Sequence, residues 1–496
     1  VLGAPELVAW EHAPLSRELV VETDVPTTLT LHLRGPGVDT SARFPTPATR
    51  HVVPVLGAHP AGDHVVDVEL ETARGGTAVV SASFSTPPLP ADFPVVTVRA
   101  VDVDAVQTGV VFAALQTPFG RHWLVALDPR DGEVVWSYTG PEDFGDLDVT
   151  PRGTVLGLSE GGFLEVDRMG RRVLRARPAT LPGEPDDLLL DAAGFTHELA
   201  ETPGGYLTLV SRRVAVDAYP RSYDEPELLG GPAELLTQDV VSLAADGAVT
   251  ARWSLFDALD PERIGFDSLD VVGGAFDWAH ANAVLPDERG VIVSLRHQDA
   301  LVALDAAGSL RWILSNPYGW SAETAASLLD GPTPDGWPLH QHGPAFDLDG
   351  NLMWFDNGNE GRSPYAEPPG RPLASRVTAV SIDEDARTAE TAWVWEPADV
   401  DLYSPALGNV APLPGGHVLA DYGFVSAVNG EDNVSAGRPM RSVRLFELDP
   451  SSAAPIFDLA IDTDPSTHPD GVKLYRALPA ASLYPPGVEV VSRSTP

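Results

Sequence analysis

Three histidines stand at comparable points of a repeating pattern. Imidazole is the side chain that can ligate a metal, bind an oxyanion or move a proton near neutral pH. His197, in Phe195-Thr196-His197-Glu198, lies six residues before Pro203. His280, in Asp277-Trp278-Ala279-His280-Ala281-Asn282, lies six before Pro286. His342, in His340-Gln341-His342-Gly343, lies eight before Gly350. A lone histidine is usually packed or solvated, but three in register at the first strand of consecutive repeats imply that their rings converge. Two chemistries fit such a cluster: three neutral nitrogens on a metal with an open position, or oxyanion binding coupled to proton transfer. Arg296 and Arg376 lie close in sequence to these motifs. Each can act as an anion-binding fork or as a strand-edge ion-pair partner. His51, His59, His64, His122, His417 and His468 follow no such register and read as structural.

The elements that must position these residues are short strands. One recurring unit is a hairpin with an Asp/Gly turn whose second strand ends in tryptophan, as in Leu124 to Trp136, Val241 to Trp253 and Leu301 to Trp312. Looser copies run from Leu164 to Arg175, Val377 to Trp393 and Leu445 to Phe457. A second unit is a hairpin around a Pro/Gly or Asp/Gly turn: Leu199 to Leu209, Asn282 to Leu295, Phe346 to Phe355 and Val410 to Leu419. One copy of each supplies four strands, the content of a propeller blade. About six copies predict a six-bladed β-propeller over 91–496, with the first strand of each blade lining the axis. Residues 1–90 alternate with period two, notably Leu19 to Thr23, Thr28 to Leu33 and His64 to Leu70. They predict an immunoglobulin- or fibronectin-like β-sandwich, joined through the stiff linker Pro87-Pro88-Leu89-Pro90. Segments 217–238 and 315–340 break the rhythm and are expected to form loops over one mouth of the channel.

Composition bounds the partners. The 496 residues carry 71 acidic against 32 basic side chains, a formal charge of −39 that repels nucleic-acid phosphate and anionic lipid. A small molecule is the expected partner, and an anionic one needs a local basic pocket to overcome this field. With no cysteine there is no disulfide framework, thiolate metal site or cysteine nucleophile. No apolar run has the length of a membrane-spanning helix, so no membrane insertion is expected. The chain starts at Val1 rather than Met, and the expectation is a removed leader and an extracytoplasmic (periplasmic or secreted) protein.

Asp277-Trp278-Ala279-His280-Ala281-Asn282, Val293-Ser294-Leu295-Arg296-His297-Gln298, Arg311-Trp312-Ile313-Leu314, Gln341-His342, Phe355-Asp356-Asn357-Gly358, Ser375-Arg376, Tyr403-Ser404-Pro405 and Tyr475-Arg476-Ala477 occur in an order and spacing that resemble the bacterial arylsulfotransferases. The resemblance runs from about residue 195 to 480. It implies an enzyme that moves a sulfuryl group between phenols without a nucleotide donor and requires no cofactor. It also implies that His280, His342 and Arg376 surround the transferred group, and that His197, Asn282, Arg296, His297, Asn357 and Tyr403 contact substrate. One departure stands out. The family's transiently sulfated histidine follows the Tyr-Ser-Pro motif by about two dozen residues, and here Ser426, or else Tyr422, occupies its place. Serine lacks the basicity to accept and release a sulfuryl group readily. Two alternatives therefore stand beside sulfuryl transfer: a metalloenzyme holding a divalent transition metal on His197, His280 and His342, and a non-catalytic binding propeller.

Overall fold

A computed structural model describes the chain except for residues 118–120, 160, 333–335, 367–372, 399, 467 and 493–496. The protein is all-β. The predicted hairpins form six sheets, each built on four antiparallel strands that follow one another in space. Their first strands are Leu147–Val149, Phe195–Thr202, Ala281–Asp287, His342–Phe346, Asn409–Pro412 and Lys473–Ala480. These six strands touch one another in that order, and the last returns to the first. The circle is closed from both ends of the chain. Lys473–Ala480 pairs with Val110–Thr117, while Val95–Val101 adds to the outer edge of the sheet that begins at Asn409.

Apolar alternation along the strands packs this circle. Each of six buried clusters joins two neighbouring sheets: Leu164 and Val166 meet Phe112 and Trp136, for example, and Trp312 and Leu314 meet Leu352 and Trp354. The other four clusters complete the same cycle. Burying one face on each neighbour lets every sheet be apolar on both faces, as its strands are.

The strands of residues 1–90 join into one hydrogen-bonded sheet. The long strand Arg17–Gly35 pairs with Val38–Val55 along one edge, and with Glu6–Ala9 and Asp63–Thr72 on the other. Glu489–Ser492 adds to this sheet through residues 40–43, so the chain's last described strand belongs with its first. The predicted loop at 217–238 is partly strand. Ala233–Ala244 pairs with Gly205–Val216 over its whole length, so the connection is confined to 217–232. The extra length has a use: Leu235 and Leu236 pair in parallel with Phe276 and Asp277, just before His280.

Candidate active site

The three histidines predicted to converge lie at one end of adjacent first strands. His197 falls in an irregularity between Thr196 and Leu199, His280 immediately precedes Ala281–Asp287, and His342 opens its strand opposite Phe355. Equal counting from a turn is therefore not equal ladder position. Pro203 sits in the turn, whereas Pro286 is still paired with Val291, and bulges shift each ladder. The rings converge all the same. His197 and His280 lie edge to face with centroids 4.7 Å apart.

Two further histidines join them. His297 stacks on His280 at 4.5 Å, and His340 lies 6.1 Å beyond His297. His297 and Arg296 ride on a tight 3₁₀ turn, Arg296–Gln298, between the second and third strands of one sheet. Backbone bonds from Arg296 N to His280 O and from His297 N to Ala279 O, both 3.1 Å, dock that turn against the His280 segment.

Carboxylates fix the rings. Asp277 Oδ2 accepts from His280 Nδ1 at 2.5 Å, and the Asp277 carbonyl accepts from His297 Nδ1 at 2.6 Å. His340 is fully buried between two acids, with Nδ1 2.9 Å from Asp299 and Nε2 3.3 Å from Asp267. Asp267 Oδ2 also accepts from Arg296 Nη1 at 3.0 Å, so Asp299, His340, Asp267 and Arg296 form one charged chain. His342 donates from Nδ1 to Asn357 Oδ1 at 2.7 Å and accepts the Leu407 N–H at Nε2 at 3.3 Å. Asn357 in turn donates to the carbonyls of Ser404 and Leu407. Gly343 follows His342 with φ +48°, and a Cβ there would fall 2.3 Å from Asn409 Oδ1.

These contacts set the charges. Burial first, then His280 and Arg296, hold His197 well below the ordinary imidazole range. The same two neighbours act after burial on His297, and burial followed by Arg296 does so on His342. His340 moves the other way: burial opposes its charge, but Asp299 and Asp267 outweigh burial and raise it. Asp267 is held below the carboxylate range, foremost by its bond to His340. Burial pushes the Tyr403 phenol up to about 12. Burial thus favours neutral rings at His197, His297 and His342, around a guanidinium that is itself paired with Asp267.

Arg296 is a cation whose field reaches His197, His297, His340 and His342. Arg376 opens the third strand of the His342 sheet at the same end, with its Nε 3.4 Å from buried Asp356. Asn282 is buried and donates to the Gln341 carbonyl at 2.7 Å, bracing neighbouring first strands. Two residues stand where the family has its nucleophile. Tyr422 is fully buried against Phe355 and donates to the Ser375 carbonyl at 3.3 Å, while the Ser426 hydroxyl points to the Tyr403 carbonyl at 3.5 Å.

Asp267, Asp299 and His340 were not singled out from the sequence. Asp277, three residues before His280, carried a local signal, but nothing in sequence spacing links Asp267 to His340. Of the histidines outside the register, His417 bonds Glu447 and His51 bonds Thr27.

The sequence profile of the arylsulfotransferases (ASST) matches residues 102–470. Arylsulfate sulfotransferase AssT of Escherichia coli O6:H1 is 27% identical over 308 residues, covering 52% of this chain and 48% of that protein. AssT of Lelliottia amnigena matches with the same identity and coverage. The chain thus spans about half the length of the curated relatives it matches. A solved protein of unknown function from Bacteroides caccae is 12% identical with a TM-score of 0.41, covering 75% of this chain and 98% of that one.

Proposed function

The chain belongs to the arylsulfotransferase family, and from that premise we propose that it transfers a sulfuryl group between phenolic compounds at the imidazole cluster around Arg296. The observation that carries this reading is that four imidazoles, His197, His297, His340 and His342, lie in the field of one guanidinium, with His280 packed against two of them. In sulfuryl transfer the non-reacting oxygens of sulfur bear negative charge, and N–H donors aimed at them lower the barrier. Arg296 supplies the fixed positive charge. The neutral ring of His197, beside His280, can accept a hydrogen bond from the acceptor's phenol as that proton passes to water. Arg376, Asn282, Asn357 and Tyr403 then bind or brace rather than react. The circle of six sheets supports a six-bladed propeller, with residues 1–90 as a sandwich-like unit before it. An extracytoplasmic location suits transfer that needs no nucleotide donor.

A second reading has its own observation. Asp277, His280 and His297 offer ligand atoms within 4.8 Å of one another, a donor set that suits a divalent transition metal. It replaces the trio of His197, His280 and His342, because both nitrogens of His342 are already engaged. A bound metal would supply Lewis-acid polarisation of a substrate oxygen.

Incubation with 4-nitrophenyl sulfate and a phenol, with and without a chelator, separates the two. Chelator-insensitive nitrophenol release with sulfation of the second phenol is expected. Turnover abolished by the chelator would favour the metal reading, and the absence of any transfer would overturn the proposal.

A further inference from the structure

Resting on sulfuryl transfer as the activity, we propose that His280 is the residue that becomes transiently sulfated, with Asp277 as its positioning residue. The nucleophile must be an imidazole with one nitrogen oriented by a partner and the other free and accessible. His342 has both nitrogens engaged, by Asn357 and Leu407. His340 is enclosed between Asp299 and Asp267 with a side chain 1% exposed. His297 is buried beneath His280, against which it stacks. His197 is oriented only by the neutral hydroxyl of Thr196, at 2.6 Å.

His280 alone pairs a carboxylate with access. Its Nδ1 donates to Asp277 Oδ2 at 2.5 Å, and its side chain is 26% exposed. That bond fixes the tautomer and leaves the Nε2 lone pair free. It also offers a compensating charge as the ring becomes cationic during bond formation. Asp277 is itself held: it ends a strand paired in parallel with Leu236, and its carbonyl accepts from His297. The backbone N–H of Arg296 bonds the His280 carbonyl, which fixes the His280 backbone in turn.

The step balances without a further reagent. Nε2 of His280 attacks sulfur of the aryl sulfate and forms an N–S bond. The S–O bond to the aryl group breaks, and the aryloxide leaves with that electron pair and takes a proton from water. In the return half, the acceptor phenol gives its proton to water and its oxygen attacks the same sulfur. The N–S bond then breaks and its electron pair returns to Nε2.

The test is rapid-quench incubation of the full chain with 4-nitrophenyl sulfate and no acceptor, followed by peptide mapping under alkaline conditions. One sulfo group on the peptide bearing His280 is expected, formed with a burst of nitrophenol. Asp277→Asn should slow that burst by on the order of 10²–10⁴-fold, the range for an imidazole that loses its orienting carboxylate. In His280→Gly, added imidazole should restore nitrophenol release, which a purely structural histidine would not allow. A sulfo group on another residue, or transfer with no protein adduct, overturns the assignment while leaving sulfuryl transfer intact. No nitrophenol from the wild type at any time overturns both.

Discussion

At His197, His280 and His340 the backbone sits at φ +59°, +46° and +56°. Asp267, Asp299 and Leu407, which touch the same cluster, are also left-handed, so six of the ten such non-glycine residues described lie here. Each costs about 1–2 kcal/mol for a residue with a Cβ, and strain of this kind persists where the surroundings enforce a functional geometry. A clean comparison follows at His197: the Gly variant should be more stable than the Ala variant by about 1 kcal/mol, read by denaturant unfolding. Equal stabilities would mean that the loop relaxes and stores no strain. Arg296 allows a sharper test, because its Nη1 bonds Asp267, its Nη2 reaches the Pro405 carbonyl, and its charge acts on four imidazoles. Lysine keeps the charge but not the fork. Arg296→Lys should lower the transfer rate by roughly 10²–10³-fold with little change in fold, as when one preorganised oxyanion donor is removed. A rate within a few-fold of wild type would make Arg296 a bystander.

Two of the strand-end tryptophans that marked the repeat, Trp136 and Trp253, and with them Trp395, are latches between sheets. Trp136 Nε1 donates to the Arg168 carbonyl at 2.8 Å, Trp253 to Asp305 at 2.9 Å and Trp395 to Ser452 at 3.0 Å. In each case a fourth strand reaches the hairpin turn of the next sheet. Trp393, the residue that completed the repeat by sequence, bonds Asp347 of its own sheet instead, because Trp395 has taken the latch. Trp253→Phe keeps most of the apolar area but leaves the Asp305 carbonyl without its donor. It should cost about 1–3 kcal/mol, measured as a shift in the unfolding midpoint at constant slope. An unchanged midpoint would mean that water replaces the indole at no cost.

Across the whole molecule, the centre of the circle is tied by buried charge. Arg476 on one first strand makes paired bonds of 2.7 and 2.8 Å to Glu198 on another, and its Nε lies 3.4 Å from Asp146 at the start of a third. Asp421, from a fourth sheet, accepts the Ala477 N–H at 2.8 Å beside them. Burial lifts the Asp421 carboxyl well above its ordinary range, against the opposing pull of Ala477 N–H and Arg476. The folded chain thus keeps this proton to higher pH than the unfolded chain does. As pH rises above about 4, the unfolded state releases its proton first, and stability falls until the folded group ionises. Asp421→Asn removes that liability while keeping a carbonyl for Ala477. Its stability relative to wild type should be greater at pH 8 than at pH 4 in denaturant unfolding. A difference independent of pH would mean that Asp421 is not raised.

What the sequence by itself determined is local: period-two strands, Pro/Gly turns and recurring tryptophans lie within a dozen or so residues, and such short-range chemistry specifies hairpins. The all-β class, six copies of one hairpin and four of the other, and the histidines of adjacent first strands were legible for that reason. Only the tertiary structure decided which nitrogen of which imidazole is free, that the Arg296 charge reaches the rings, and that Asp267 meets His340 across 73 residues of chain. It also moved the strand at 233–238 out of a predicted loop, through pairing with residues 211–216. Those outcomes rest on bulges that slip the ladders, on left-handed turns, and on burial that neutralises one imidazole and charges another. Each is a long-range balance of desolvation against partners, and spacing along the chain carries no record of it.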